Sequence, residues 1–321
     1  MIASSFGSRR TTVLWIAAAV AVLGLGLWVD NYWLRIWTSV LMYVAVAQGL
    51  NVIVGFAGYH SFGNSAFFGV GAYSTGVLIT AGWPLWLALL TSTAVGALLA
   101  AILGPPLLRL KGHYFAIATV ALNAALAELV LNVGGITGGA QGIALPISDL
   151  TPLALYRQVF LLMFVGAAAS TAVVAWLAHS KFGYAVRASK DSEDGARAMG
   201  INTTAVRVIA WMLSAGLTAY VGAVWAYWIN FIEVGSAFDI SISVKAYIML
   251  LMGGMGSVVG PVAGAIFFEV LSTLVWSQFG AFHNLMLGVL VCAVVLILPR
   301  GFVVLLRGRL AAWQRRSGRT G

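Results

Sequence analysis

Charge is what this chain has least of. Its 321 residues include 18 Lys and Arg and nine Asp and Glu, 8% in all, where soluble domains carry about 25%. With 61% hydrophobic residues and a mean hydropathy of +0.97, it lacks the polar groups needed to cover itself in water. Lipid must solvate much of its surface. Cysteine is nearly absent: Cys292 stands alone, which excludes an internal disulfide and a metal site of paired thiols. Histidine is sparse, and His60, His113, His179 and His283 lie far apart near the ends of apolar runs. There is no H-E-x-x-H and no G-x-S-x-G, and no lysine follows the G-x-x-x-x-G of a phosphate-binding loop. An enzyme is thus left without a nucleophile or base cluster. The net charge of +9 does not argue for nucleic acid, because the basic residues are scattered through short loops and gathered at the ends.

What the chain does have is continuous apolar runs of about 20 residues, the length a helix needs to cross about 30 Å of hydrocarbon. Unsatisfied backbone groups cost several kcal/mol in lipid, so spans are helices or closed barrels, and barrels show shorter alternating segments. The expected fold is an all-α polytopic membrane protein. Ten runs stand out, at 13–30, 36–55, 63–81, 84–108, 114–132, 159–178, 205–229, 241–253, 262–279 and 282–299, some broken by Gly-rich segments. The run after Arg9 and Arg10 lacks a small-x-small cleavage site and is read as a retained first helix. The expected organisation is a cytoplasmic tail over 1–12, a transmembrane body over 13–300 and a basic cytoplasmic tail over 301–321. With both termini cytoplasmic, only Arg35, Arg157 and Lys245 of the 18 basic residues fall outside cytoplasmic segments. That bias follows the positive-inside rule.

One stretch breaks the scarcity of charge. "SKDSEDGARAMGIN", residues 189–202, holds Lys190, Asp191, Glu193, Asp194 and Arg197 inside a cytoplasmic loop over 180–206. It reads as a short helix. Asp191 or Ser192 caps it, the acids sit at the positive end of its dipole, and Gly200 closes it in the left-handed conformation. Ala196, Met199 and Ile201 give it a small apolar side. Pattern alone fits a solvated connector as well as a docking knob for a cytosolic protein.

The residues then resemble a known family. "GYAVRASKDSEDGARAMGINTTAVRVIAWMLSAGLTAYVGAVWA" is similar to the cytoplasmic loop and following span of ABC-importer permeases of the branched-chain amino-acid type. "LNVIVGFAGYHSFGNSAFFGVGAY", "LRLKGHYFAIATVAL", "ITGGAQGI", "LLMGGMGSVVGPVAGA" and "LPRG" resemble further blocks in the family's order, across about residues 49–301. The resemblance implies that the loop is a coupling helix gripped by a cytosolic ATPase, with Asp191, Glu193, Ala196, Arg197, Met199 and Gly200 at that contact. It implies two ATPase subunits, which use ATP and Mg, a second homologous permease and an extracytoplasmic solute-binding protein. This chain itself would bind no cofactor. Asn64 departs from the pattern, standing where many relatives carry His.

Glycine crowds two segments, "GFAGYHSFG" and "GGMGSVVGP", too densely for regular helix. Broken backbone at membrane depth is tolerated only inside protein or beside a water-filled cavity, so each is a candidate gate. Gly69, Gly71 and Gly76 read instead as close helix packing. The candidate pathway residues are Asn51, Gly58, Ser61, Gly63, Asn64, Thr119, Gly253, Gly254, Gly256, Ser257, Pro261 and Glu269. A carboxylate within a span is costly and marks function by default. Glu269 is the deep one, while Glu128 lies near a span end beside Asn132. Residues 133–158 form the longest external loop. The expected function is an alternating-access permease for branched-chain or related amino acids in the bacterial inner membrane. Urea, amides or small organic acids are alternative solutes, and a passive channel or ion-coupled carrier is the rival class.

Overall fold

The structure is a computed structural model that describes residues 31–146 and 151–279, with Gly24 and Gly288 as isolated positions. The expected first and last spans, 13–30 and 282–299, and both tails lie outside the described residues. Ten main helices follow in order: α1 (Asn31–Asn51), α2 (Asn64–Thr80), α3 (Leu85–Leu107), α4 (His113–Asn132), α5 (Pro152–His179), α6 (Lys181–Asp191), α7 (Glu193–Ala198), α8 (Thr203–Ile229), α9 (Ile240–Gly253) and α10 (Val259–Phe279). Among the described residues, six stretches are long and apolar enough to cross a membrane: Asn31–Phe56, Leu85–Leu107, His113–Asn132, Pro152–His179, Thr203–Ile229 and Val234–Gly253. The protein is an all-α polytopic membrane protein.

Small residues decide the packing at its centre. Helix α2 has 17 residues and is sunk among α3, α8 and α9. A Cβ on Gly71 would collide with the carbonyl of Ala219 in α8, and one on Gly222 with the carbonyl of Phe68 in α2. The two helices therefore touch backbone to backbone, the approach that glycine permits. Gly69 faces the Phe238 ring and Gly76 faces Ile232, again as close packing requires. Helix α1 runs alongside α5, α9 and α10 and is buried without a break from Val40 to Asn51, while its first three residues are exposed.

The turns gather at two ends. At one end Tyr59 donates to the carbonyl of Leu108 at 3.2 Å, and α6 and α7 lie against the same turns. At the other end Ile143–Ala144 pairs antiparallel with Phe231–Ile232, and Asn123 donates to the carbonyl of Phe238 at 2.8 Å.

Four boundaries differ from the sequence expectation, the first being the start of α1 at Asn31, not near 36. Helix α5 starts at Pro152, not near 159: Thr151 caps Ala154 N and Pro152 occupies the first turn, where its missing N–H costs nothing. Helix α10 starts at Val259, so Gly260 and Pro261 belong to its first turn and not to the loop. Helix α1 does not stop at residue 55 but widens into a π-helix over Val52–Phe56. Single π turns concentrate at functional sites.

Candidate functional site: the junction between the charged loop and the glycine-rich turns

The charged loop is two helices. Ser180 caps α6 by accepting from Gly183 N at 3.0 Å, and Ser192 caps α7 by accepting from Gly195 N at 3.1 Å. Asp191, a candidate cap by sequence, instead ends α6. Helix α7 spans only six residues, Glu193–Ala198, about 9 Å at 1.5 Å per residue. Gly200 at φ 80° reverses the chain, and Ile201 N donates back to the carbonyl of Ala196 at 3.0 Å. The apolar side is divided: Ala196 is 4% exposed and turned into the protein, whereas Met199 is 83% exposed and turned out. Asp194, Arg197 and Gly200 are also exposed.

Cationic side chains bolt this loop to the membrane body. Arg187 donates to the carbonyls of Leu177 at 3.3 Å and Ala178 at 2.6 Å, groups left open by the end of α5, and lies over the Phe56 ring at 5.0 Å. Lys190 donates to the carbonyl of Gly55 at 2.9 Å, inside the π-helix. Its stem passes over Gly58, where φ is 78° and any Cβ would sit 2.8 Å from Lys190 Cγ. Gly58 is thus a seat for Lys190, doubly closed to other residues. Arg207, at the start of α8, donates to the carbonyl of Ser189 at 2.9 Å and lies over Tyr59 at 5.3 Å.

Glu193 ties the cations together. Its carboxylate lies 3.3 Å from Lys111, 2.6 Å from Arg197 and 3.0 Å from Arg207. Burial alone would raise its pKa, but the hydrogen bonds and charges of Arg207 and Lys111 outweigh that and hold it below the ordinary carboxylate value. The three ion pairs join the α3–α4 turn, α7 and α8 at one point.

Behind the loop the two glycine-rich segments meet, although about 200 residues separate them in the chain. Asn51 donates to the carbonyl of Ser257 at 2.8 Å and accepts from Gly256 N at 2.8 Å. One turn earlier, Gln48 donates to the carbonyl of Val258 at 2.7 Å. A Cβ on Gly55 would lie 2.6 Å from Gly256 N, and Gly254 and Gly256 have φ of 104° and 73°. Ser257 accepts from Gly260 N at 3.0 Å just ahead of α10, which has Pro261 in its first turn. A Cβ on Gly253 would strike the carbonyl of Gly260. An unbroken line of contacts therefore runs from Lys190 through Gly55 and Asn51 to Gly256 and Ser257.

The rest of the early segment is stitched to other helices. Phe62 N donates to Thr119 Oγ1 at 3.1 Å, Gly63 N to Ser61 Oγ at 3.2 Å, and Ser65 N to Ser243 Oγ at 2.7 Å. Asn64 is buried and donates to Thr218 Oγ1 at 2.9 Å, and His60 bonds Tyr247 at 2.7 Å. Glu269 belongs to neither cluster. It lines a cavity of about 590 Å³ toward the opposite end, between α1, α5, α8, α9 and α10. Glu128 is exposed and accepts from Asn132 at 2.9 Å.

Sequence alone does not single out Gln48, Arg187, Arg207, Thr218, Ser243 or Tyr247, and it marks Lys190 only as one charge of the loop. Gln48 and Asn51 carry a usable signal, because two amides three apart in an apolar helix share a face. The others lack one, since their partners are backbone carbonyls or hydroxyls distant in sequence.

A bundle of apolar helices with glycine-rich turns wired to one charged loop at one end defines a polytopic membrane protein. The chain belongs to the ABC-importer permease family described as "Branched-chain amino acid transport system / permease component", whose profile matches residues 32–298. It is 28% identical over 300 residues to the high-affinity branched-chain amino acid transport system permease protein LivM of Salmonella typhimurium, covering 85% of this chain and 70% of that one. LivM of Escherichia coli K12 is 27% identical over the same length. The autoinducer 2 import system permease protein LsrC of E. coli O9:H4 is 34% identical over 132 residues, 39% of each chain. No solved structure matches the chain.

Proposed function

We propose that this permease carries branched-chain or related amino acids inward across the bacterial inner membrane, moved by a pair of cytosolic ATPase subunits that use ATP and Mg. It pairs with a second, homologous permease subunit and receives solute from an extracytoplasmic binding protein. The charged loop and both termini face the cytoplasm. When the ATPase pair closes, α7 is pushed. Lys190, Arg187 and Arg207 pass that displacement to the π-helix, the end of α5 and the start of α8. Asn51 passes it to the turn between α9 and α10, and the pathway reorients. The chain needs no nucleotide site of its own for this.

The observation that carries the reading is the contact line from Lys190 through Gly55 and Asn51 to Gly256, which joins the loop to both glycine-rich turns. The docking contact is tested at Met199, the large apolar side chain that stands out from the loop. Ala196 is buried in the loop's own packing, whereas Met199 can be changed without disturbing it. In the reconstituted importer, Met199→Arg is expected to abolish solute-stimulated ATP hydrolysis while membrane insertion is unchanged. Undiminished stimulation would refute the docking assignment.

A further inference from the structure

The cavity of about 590 Å³ combines features that an apolar bundle has no structural need to keep. Lys245 on α9, Glu269 on α10 and Arg35 on α1 all line it. Each charge within a span is costly, and such groups normally pair with one another or mark a pathway. Yet neither Lys245 nor Glu269 joins an ion pair at contact distance, as Glu193 does with Lys111, Arg197 and Arg207; Lys245 acts on Glu269 only through space. Both are half-buried, so water compensates them only in part. The walls include Tyr156, Trp225 and Trp228, with Arg35 over the Tyr156 ring at 5.7 Å.

We infer that this cavity binds a zwitterion, its carboxylate toward Lys245 and its ammonium toward Glu269, with an apolar side chain against the aromatic rings. A zwitterion neutralises both groups at once, which a simple anion or cation cannot do. Hydrogen bonds between charged groups are the stronger kind, and aromatic faces attract ammonium groups. The inference rests on the importer reading for the direction of transport and not for the binding chemistry.

Saturation-transfer NMR on the 321-residue chain in lipid nanodiscs tests it, with three ligands of similar shape. They are leucine, 4-methylpentanoate, which lacks the ammonium, and isoamylamine, which lacks the carboxylate. Leucine is expected to bind, and each truncated ligand to bind about 10-fold more weakly, the loss of one charge-assisted contact. Lys245→Gln should weaken leucine but leave isoamylamine unchanged. Glu269→Gln should weaken leucine but leave 4-methylpentanoate unchanged. Absence of leucine binding, equal binding of all three ligands, or leucine binding indifferent to both variants would each overturn the site. The ligand comparison needs no variant, so a misfolded mutant does not rescue the idea. ATP-driven, binding-protein-dependent uptake is scored separately. Uptake without cavity binding sinks this inference alone, and cavity binding without uptake sinks the importer reading alone.

Discussion

Replacing Glu193 by Gln keeps the shape of the side chain and removes the charge on which Lys111, Arg197 and Arg207 converge. The three partners are unequal. Lys111 and Arg197 have side chains 78% and 56% exposed, so water screens them, and such pairs contribute at most about 1 kcal/mol. Arg207 is 8% exposed and faces a carboxylate that is itself 17% exposed. Removing one partner of a fully buried pair costs about 3–5 kcal/mol; the partial exposure of Glu193 places this one nearer about 2 kcal/mol. At about 2–4 °C per kcal/mol, thermal unfolding in detergent at pH 7 should fall by about 4–8 °C. The pH dependence gives an internal check. The folded carboxylate titrates below its ordinary value of 4.5. Its stabilisation is therefore present above that value and is lost as pH falls through the folded pKa. The gap between wild type and Glu193→Gln should close in acid. Equal unfolding temperatures at pH 7, or a gap that persists unchanged well below pH 4, would refute the assignment of Glu193 as the tie.

Lys190→Met retains the stem that lies over Gly58 and removes the donor to Gly55. Solute carried per ATP hydrolysed should drop, while Lys181→Met, on an exposed residue at the start of α6, should not change it. Gly71→Ala drives a Cβ into the Ala219 backbone, which cannot swing aside as a side chain can. It should cost about 1–3 kcal/mol, read as a loss of monodisperse protein on gel filtration.

Much of the fold was legible because lipid imposes a coarse rule. Apolar runs near 20 residues had to be helices, and the runs at 84–108, 114–132 and 205–229 match α3, α4 and α8 to within two residues. The start of α5 was missed because Thr151 and Pro152 act as cap and first turn in a stretch whose composition reads as loop. The charged loop was legible in its caps and in Gly200, which are local. Its apolar side was not, since only packing decided that Ala196 turns in while Met199 turns out. The two glycine-rich turns were visible as breaks, but nothing in their residues says that they touch each other.

The sequence by itself determined the lipid-embedded helical class, the positions of the broken segments and the one charged loop, because each follows from composition and spacing within a short window. Only the tertiary structure decided that Lys190 reaches Gly55, that Asn51 holds Gly256 and Ser257, and that Lys245 and Glu269 share a cavity. The physical reason is the partner. Three of these contacts end on backbone groups that every residue carries, and the cavity joins α9 and α10 to α1. Side-chain identity cannot announce such partners before the helices pack.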